Sequence, residues 1–152
     1  MLIDYSLNMS IIFLFFLFEV KHLIVDFFFQ HSPYIYQNKG IYGHLGGILH
    51  ALYHIFGSYL ILVFSSFFLS YSACWPVLNL SLDLGFLILA ILEGIVHYHI
   101  DWLKIKINNR MKWQPTSDYQ FWDLLGVDQF LHHLTYIVFV LVISKSVFLG
   151  AN

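Results

Sequence analysis

Four pairs of histidine and aspartate residues are the part of this sequence most suited to chemistry. The two residues of each pair are spaced i, i+4, so both side chains lie on one face of an α-helix, about one turn apart. Imidazole nitrogens and carboxylate oxygens together are ligands that Zn, Mn, Fe or Ni accept. The pairs supply five imidazoles and three carboxylates, enough for one or two divalent ions. They are His22 and Asp26, His50 and His54, His97 and Asp101, and Asp128 and His132.

The composition indicates that lipid surrounds the helices that carry these pairs. Of the 152 residues, 59% are apolar and 11% are charged, whereas soluble domains are usually about a quarter charged. A membrane-spanning helix needs about 20 residues that are mostly apolar, and Pro33, Pro76 and Pro115 separate runs of this kind. We predict an all-α, integral membrane four-helix up-down bundle that forms one domain over residues 1–152. Its helices are expected at about 8–30, 41–70, 80–106 and 124–148.

The basic residues predict how the chain is oriented in the membrane. The connection around residues 71–79 contains no Lys or Arg. Because cationic connections stay on the cytoplasmic side during insertion, we expect a multi-pass protein of the cytoplasmic (inner) membrane with both termini on the non-cytoplasmic side. The first apolar run contains charged residues and has no basic residue before it, so we interpret it as a retained helix rather than a secretory signal. The cations in or beside the first and third connections are Lys39, Lys104, Lys106, Arg110 and Lys112.

Residues beside the four pairs are candidates for catalysis and for packing. Glu19 or Glu93 could act as a general base, and Lys104 continues the face of His97 and Asp101 toward the membrane surface, where it could hold a phosphate. Lys21 is expected to snorkel or to pair with an acid. Small residues allow close helix contact, within the bundle or in a homo-oligomer. Those on the His50 and His54 face are Gly43, Gly47 and Gly57.

The other histidines lack the paired spacing. We expect interface or water-facing roles for them, with His44 and His133 open as replacement ligands. A single cysteine, Cys74, excludes an internal disulfide and a thiolate metal site. These histidines are His31, His44, His99 and His133.

The ordered set of polar motifs resembles domain-of-unknown-function family 3307, which comprises small bacterial and phage membrane proteins. The resemblance covers about residues 14 to 143 and implies membrane helices with polar residues in common, but no established activity. The metal site is an interpretation of the spacing alone. The motifs are His22 to Gln30 followed by Lys39, His50 to His54, His97 to Asp101 with Lys104, and Asp128 to His132.

Three functions are compatible with a polar core in a membrane. The favoured hypothesis is a metal-dependent hydrolase of a lipid or lipid-linked substrate near the cytoplasmic leaflet. A metal-ion or proton transporter is an alternative, although the distal halves of the helices, such as Ile137 to Ile143, are almost all apolar. A non-catalytic phage or bacterial membrane protein with a structural polar core is the third.

The net charge of -2 and the lack of a large basic cluster argue against nucleic acid as a partner.

Overall fold

The computed structural model describes residues 2–69 and 80–150 of the chain, and the side chains of residues 9–66 and 84–144. The described chain is helical and contains no β-strand, which confirms the predicted all-α class. A π-helical turn at Ile24–Phe28 and a 3₁₀ turn at Phe29–His31 follow α1. The α-helices are α1 (Leu2–Leu23), α2 (Pro33–Tyr36), α3 (Leu45–Leu69), α4 (Leu80–Met111) and α5 (Tyr119–Gly150).

Three helices within the described part of the chain are long and apolar enough to cross a membrane. They contain the stretches Leu45–Ser66, Leu84–Met111 and Tyr119–Ser144. Large apolar side chains lie on their outer surface, including Phe56 and Phe130, each 63% exposed. A surface of this kind is compatible with lipid, which solvates apolar side chains without cost.

Several helix boundaries differ from the predicted ones, and the first helix begins at Leu2 rather than near residue 8. The second predicted helix starts at Leu45 rather than near residue 41, because Gly43 adopts a left-handed turn with φ 77°. Gly43 therefore does not pack between helices as expected, and a Cβ at this position would meet nothing within 4 Å. The predicted break at Pro76 and the connection around residues 71–79, which includes Cys74, lie outside the described residues.

The helices on either side of the third connection are both longer than predicted. α4 continues past Lys106 to Met111, and α5 begins at Tyr119 rather than near residue 124. Hydropathy indicates where a helix leaves the apolar layer, whereas the helix itself ends where its backbone is capped. Lys112, with φ 59°, supplies that cap for α4, and its N–H donates to the carbonyl of Asn108 at 2.6 Å.

The four long helices contact one another in a closed cycle. α1 packs against α3 and α5, and α4 packs against the same two helices. α3 and α4 approach closely at Gly94, where an added Cβ would collide with Ile55. At one end of the molecule the interior is an apolar cluster that includes Leu14, Phe18 and Leu62. Phe18 stacks on Tyr136 with ring centroids 5.3 Å apart, where this cluster meets the polar interior.

The segment between α1 and α3 does not continue as the regular helix predicted up to residue 30. The π-helical turn adds one residue to the helical repeat at Asp26, a local change that alters the direction of the following side chains. The chain then reverses through α2 and packs back on the molecule, with Ile35 only 1% exposed and Lys39 7% exposed. This returning segment, residues 32–44, closes one side of the polar interior.

Candidate metal centre

All eight residues of the four pairs meet in the interior of the described structure. α1 and the π-helical turn contribute one pair, and α3, α4 and α5 contribute one each. None of the eight is more than 4% exposed. Buried ionisable groups are costly unless they are paired or coordinate a metal. The eight are His22, Asp26, His50, His54, His97, Asp101, Asp128 and His132.

The carboxylate of Asp26 occupies the middle of this cluster. Its Oδ1 atom lies 2.9 Å from Nε2 of His50, 3.0 Å from Nε2 of His54 and 3.3 Å from Nε2 of His97. Its Oδ2 atom lies 3.3 Å from Nε2 of His22. Four imidazoles from three different helices therefore direct the same ring nitrogen toward one carboxylate.

A second part of the cluster surrounds Asp101. Its Oδ2 atom lies 3.2 Å from Nε2 of His50 and 3.6 Å from Nε2 of His97, while Oδ1 is 3.8 Å from Nε2 of His132. Oδ1 of Asp128 is 3.6 Å from the same His132 atom. Both Oδ1 of Asp128 and Nε2 of His132 are buried without a hydrogen-bond partner.

Two overlapping groups of these residues could hold a metal ion. The first group is His22, Asp26, His54 and His97, and the second is Asp26, His97, Asp101 and His132. Within each group one potential ligand atom per residue lies within 4.8 Å of all the others. In a tetrahedral site with bonds of about 2.0–2.1 Å, ligand atoms lie about 3.3–3.4 Å apart. The observed separations around Asp26 and Asp101 are close to that spacing.

Two lysines each bind the Oδ2 oxygen of one aspartate of the cluster. Nζ of Lys39 lies 2.9 Å from Oδ2 of Asp101, and Nζ of Lys104 lies 2.9 Å from Oδ2 of Asp128. Burial alone would lower the pKa of Lys39, but the charges of Asp101 and Asp26 outweigh it and raise that pKa above its usual value. The other oxygen of each aspartate, Oδ1, remains directed toward His132.

A second polar network lies on the opposite side of the imidazole rings. Nζ of Lys21 donates to Glu93 at 3.0 Å and to the hydroxyl of Tyr136 at 3.2 Å, and it lies 3.2 Å from Nδ1 of His54. The Tyr136 hydroxyl is also 3.0 Å from Nδ1 of His22. Hydrogen bonds at Nδ1 fix the tautomer and orientation of a ring whose Nε2 faces a metal.

The three predicted catalytic residues take different positions. Glu93 is 1% exposed and accepts hydrogen bonds from Lys21 and Ser58, on the Nδ1 side of the histidines. Glu19 lies outside the centre, where its carboxylate is 2.7 Å from Nδ1 of His133. Lys104 is at the edge of the centre, with its side chain 22% exposed.

His50 and Asp128 are buried in the cluster but belong to neither ligand group, and the four histidines without the paired spacing lie outside both groups as well. His44 accepts the N–H of Gly46 through Nδ1 at 3.0 Å, and His99 contacts Tyr42 at 3.3 Å. His133 pairs with Glu19, and His31 lies on the exposed surface.

Two residues of the polar network, Ser58 and Tyr136, were not predicted from the sequence. Each lies four residues after a histidine of the centre, His54 or His132, on the same helix face. Extending each i, i+4 pair by one further turn is the signal that would have found them. Hydroxyl residues are common in membrane helices, so the residue types of Ser58 and Tyr136 alone did not single them out.

Comparison of the chain with protein-family models, with curated proteins and with solved structures finds no match.

Proposed function

We propose that this chain is a membrane-embedded metalloprotein, and that it is a metal-dependent hydrolase of a lipid or lipid-linked substrate. The observation that carries the metal proposal is the presence of two overlapping groups of buried residues whose imidazole and carboxylate atoms lie within 4.8 Å of one another. Buried ionisable groups are costly unless they are paired or coordinate a metal. A divalent cation such as Zn, Mn or Fe accepts these ligands.

In this proposal α1 is a fourth membrane-spanning helix and completes an up-down bundle. Its 22 residues extend about 33 Å, compared with about 30 Å for the hydrocarbon layer. Its outward residues include Ile12 and Phe16, which are 61% and 58% exposed, whereas Lys21 and His22 face inward. The amphipathic arrangement supports a helix with lipid on one side and the polar centre on the other.

We propose that the end of the molecule carrying the returning segment and the α4–α5 connection faces the cytoplasm. The support is the number of cations at that end, including Lys106, Arg110 and Lys112. Asp101 lies ten residues before the end of α4, which corresponds to about 15 Å along the helix. A lipid headgroup from that leaflet would reach this depth only by entering between helices.

The assignment to domain-of-unknown-function family 3307 stays a prediction.

A lateral groove supports a lipid as the substrate. The groove has a volume of about 830 Å³ and lies between α1, the π-helical turn and α3. Its walls include Phe28, Phe56 and Leu60, and Lys21 lines it where the polar network begins. An acyl or prenyl chain in the groove would contact Lys21, whose Nζ lies 3.2 Å from Nδ1 of His54.

The chemistry of the proposed reaction is hydrolysis with metal-activated water. A bound divalent ion lowers the pKa of water toward neutrality and polarises an ester or phosphoryl oxygen. Lys104 is the residue we assign to an anionic headgroup, because its ammonium is partly exposed beside Asp128. Glu93 holds the imidazoles through Lys21 and Tyr136, so in this scheme it positions ligands.

The test of the hydrolase proposal is release of inorganic phosphate from phosphatidic acid by metal-loaded protein in detergent micelles. Lys104→Met is expected to lower the rate by about 100-fold, as loss of one charge-stabilising contact does. Lys106→Met is the matched control, since its ammonium lies over the Trp102 ring 4.4 Å away and outside the centre. Equal activity of the two variants would contradict the role of Lys104, and no hydrolysis of phosphate or carboxylate esters by wild type would contradict the enzyme proposal.

A structural metal core is a second candidate, favoured by the nearly complete burial of all eight donors. A structural site is closed to solvent, whereas a catalytic site keeps a position for water. A metal that resists chelators and never supports hydrolysis would identify this function.

Transport is less well supported, because the apolar cluster of Leu14, Leu62 and Val140 closes the interior beyond the centre.

A further inference from the structure

We infer that the metal centre is dinuclear, with the carboxylate of Asp26 bridging two divalent ions. This inference rests on the metal site of the proposed function and specifies how many ions it holds and how they are joined. It depends on the number of donors and on the two residues that both ligand groups share.

The number of buried donors exceeds what one ion can use. Eight side chains offer a nitrogen or oxygen at the centre, whereas a transition-metal ion in a protein takes about four to six ligands. With a single ion, several buried donors would remain uncoordinated beside it. Two ions would use the six residues of the two ligand groups, with His50 and Asp128 beside them.

The two ligand groups share Asp26 and His97, and these two residues differ in how many metal ions each can bind. Nε2 of an imidazole has one lone pair and binds one ion. A carboxylate has about four lone-pair sites on its two oxygens and can bind two ions. Oδ1 of Asp26 lies 3.0 Å from Nε2 of His54 and 3.3 Å from Nε2 of His97, and Oδ2 lies 3.3 Å from Nε2 of His22. Asp26 therefore adjoins ligands of both groups and is the bridge, and His97 belongs to one ion.

The position of His97 assigns it to the ion near Asp101, four residues further along the same face of α4. That ion would be held by Asp26, His97, Asp101 and His132, with His50 and Asp128 within reach. The other ion would be held by His22, His54 and Asp26. Three protein ligands leave a fourth position for water or substrate, as in catalytic sites.

The charges at the centre indicate what a dinuclear site would bind. With neutral imidazoles, four carboxylates face three ammonium groups, an excess of one negative charge. Two divalent ions would change this to an excess of three positive charges. In a low-dielectric interior such an excess requires anions, so a phosphate-bearing substrate fits better than a neutral ester. The groups counted are Asp26, Glu93, Asp101 and Asp128 with Lys21, Lys39 and Lys104.

The experiment is Mn(II) loading of the whole wild-type protein in detergent, with the bound ions counted by mass spectrometry and their spectrum recorded by electron paramagnetic resonance. We expect two ions per chain and a broad, spin-coupled signal. One ion per chain would overturn the dinuclear inference and leave the proposed metal site intact. No bound ion would overturn both, and two uncoupled ions would overturn the bridging role of Asp26.

Variants on opposite sides of the bridge give a second test. His54→Ala should retain one ion, held by the group around Asp101, and His132→Ala should keep the one held by His22 and His54. Each should show the six-line signal of isolated Mn(II), and Asp26→Ala should lose the coupling. His99→Ala, outside both ligand groups, should bind as wild type does. Loss of both ions in both single-histidine variants, with unchanged circular dichroism, would contradict two separable sites.

Discussion

The ion pair between Lys21 and Glu93 yields a prediction about how α1 is held in the structure. Nζ of Lys21 and Oε1 of Glu93 are 3.0 Å apart, and their side chains are 5% and 1% exposed. Removing one partner of a buried pair leaves an uncompensated charge and costs about 3–5 kcal/mol. Lys21→Met, which keeps a similar side-chain length, should therefore lower the free energy of unfolding by about 3 kcal/mol or more.

The double variant distinguishes an ion pair from a loss of ordinary hydrogen bonds. Interhelical hydrogen bonds in membranes average only about 0.6 kcal/mol, so they cannot produce an effect of the size expected for Lys21→Met. Glu93→Gln should also destabilise the protein. Lys21→Met with Glu93→Gln should be less destabilised than the sum of the two by about 2 kcal/mol, because neither charge remains unpaired.

The assay is unfolding by sodium dodecyl sulfate in mixed micelles, followed by circular dichroism. Lys106→Met removes a cation that lies on the surface over Trp102 and should change stability by less than about 0.5 kcal/mol. Additivity of Lys21→Met and Glu93→Gln within about 0.5 kcal/mol would show that the two charges do not interact. The placement of α1 between α3 and α5, which brings Lys21 to Glu93 of α4, would then be refuted.

Two further predictions concern the support of the centre and the packing of α3 on α4. Tyr136→Phe removes the hydroxyl that contacts Nδ1 of His22 at 3.0 Å, so it should weaken metal binding by about tenfold or more. The affinity is measured by competition with a chelator, and the helical content should stay unchanged. Unchanged affinity would argue against a positioning role for Tyr136. Gly94→Ala places a methyl group against Ile55 and should lower the free energy of unfolding by about 1–3 kcal/mol. Gly85→Ala, where nothing lies within 4 Å, is its control and should be neutral or stabilising; equal effects of the two alanines would contradict the close approach.

The long apolar helices and the shared face of each His/Asp pair could be predicted because they depend on local patterns. Runs of apolar residues have the length of a membrane span, and i, i+4 spacing fixes which side chains share a face. His50 and His54, or Asp128 and His132, needed no knowledge of distant residues to be recognised. Their convergence followed from the cost of facing charged groups toward lipid.

The contacts between distant segments could not be predicted in the same way. The pairing of Lys39 with Asp101 depends on how the segment after the π-helical turn folds back, and no periodic pattern marks that path. Lys21 had two possible environments on sequence grounds, the membrane surface or an acidic partner. Only the packing of α1 against its neighbours brings it to Glu93.

Metal content is the measurement that bears most closely on whether the four pairs form a metal site. Detergent-purified wild type is compared by mass spectrometry with His50→Ala/His54→Ala, with Asp101→Ala/Asp128→Ala, and with His44→Ala/His99→Ala as a control that removes two histidines outside the centre. We expect at least one ion per chain in wild type and the control, and loss of metal in the other two variants. Wild type without metal, even after supply of Zn, Mn and Fe, would contradict the claim and leave the interior as a hydrogen-bonded polar network.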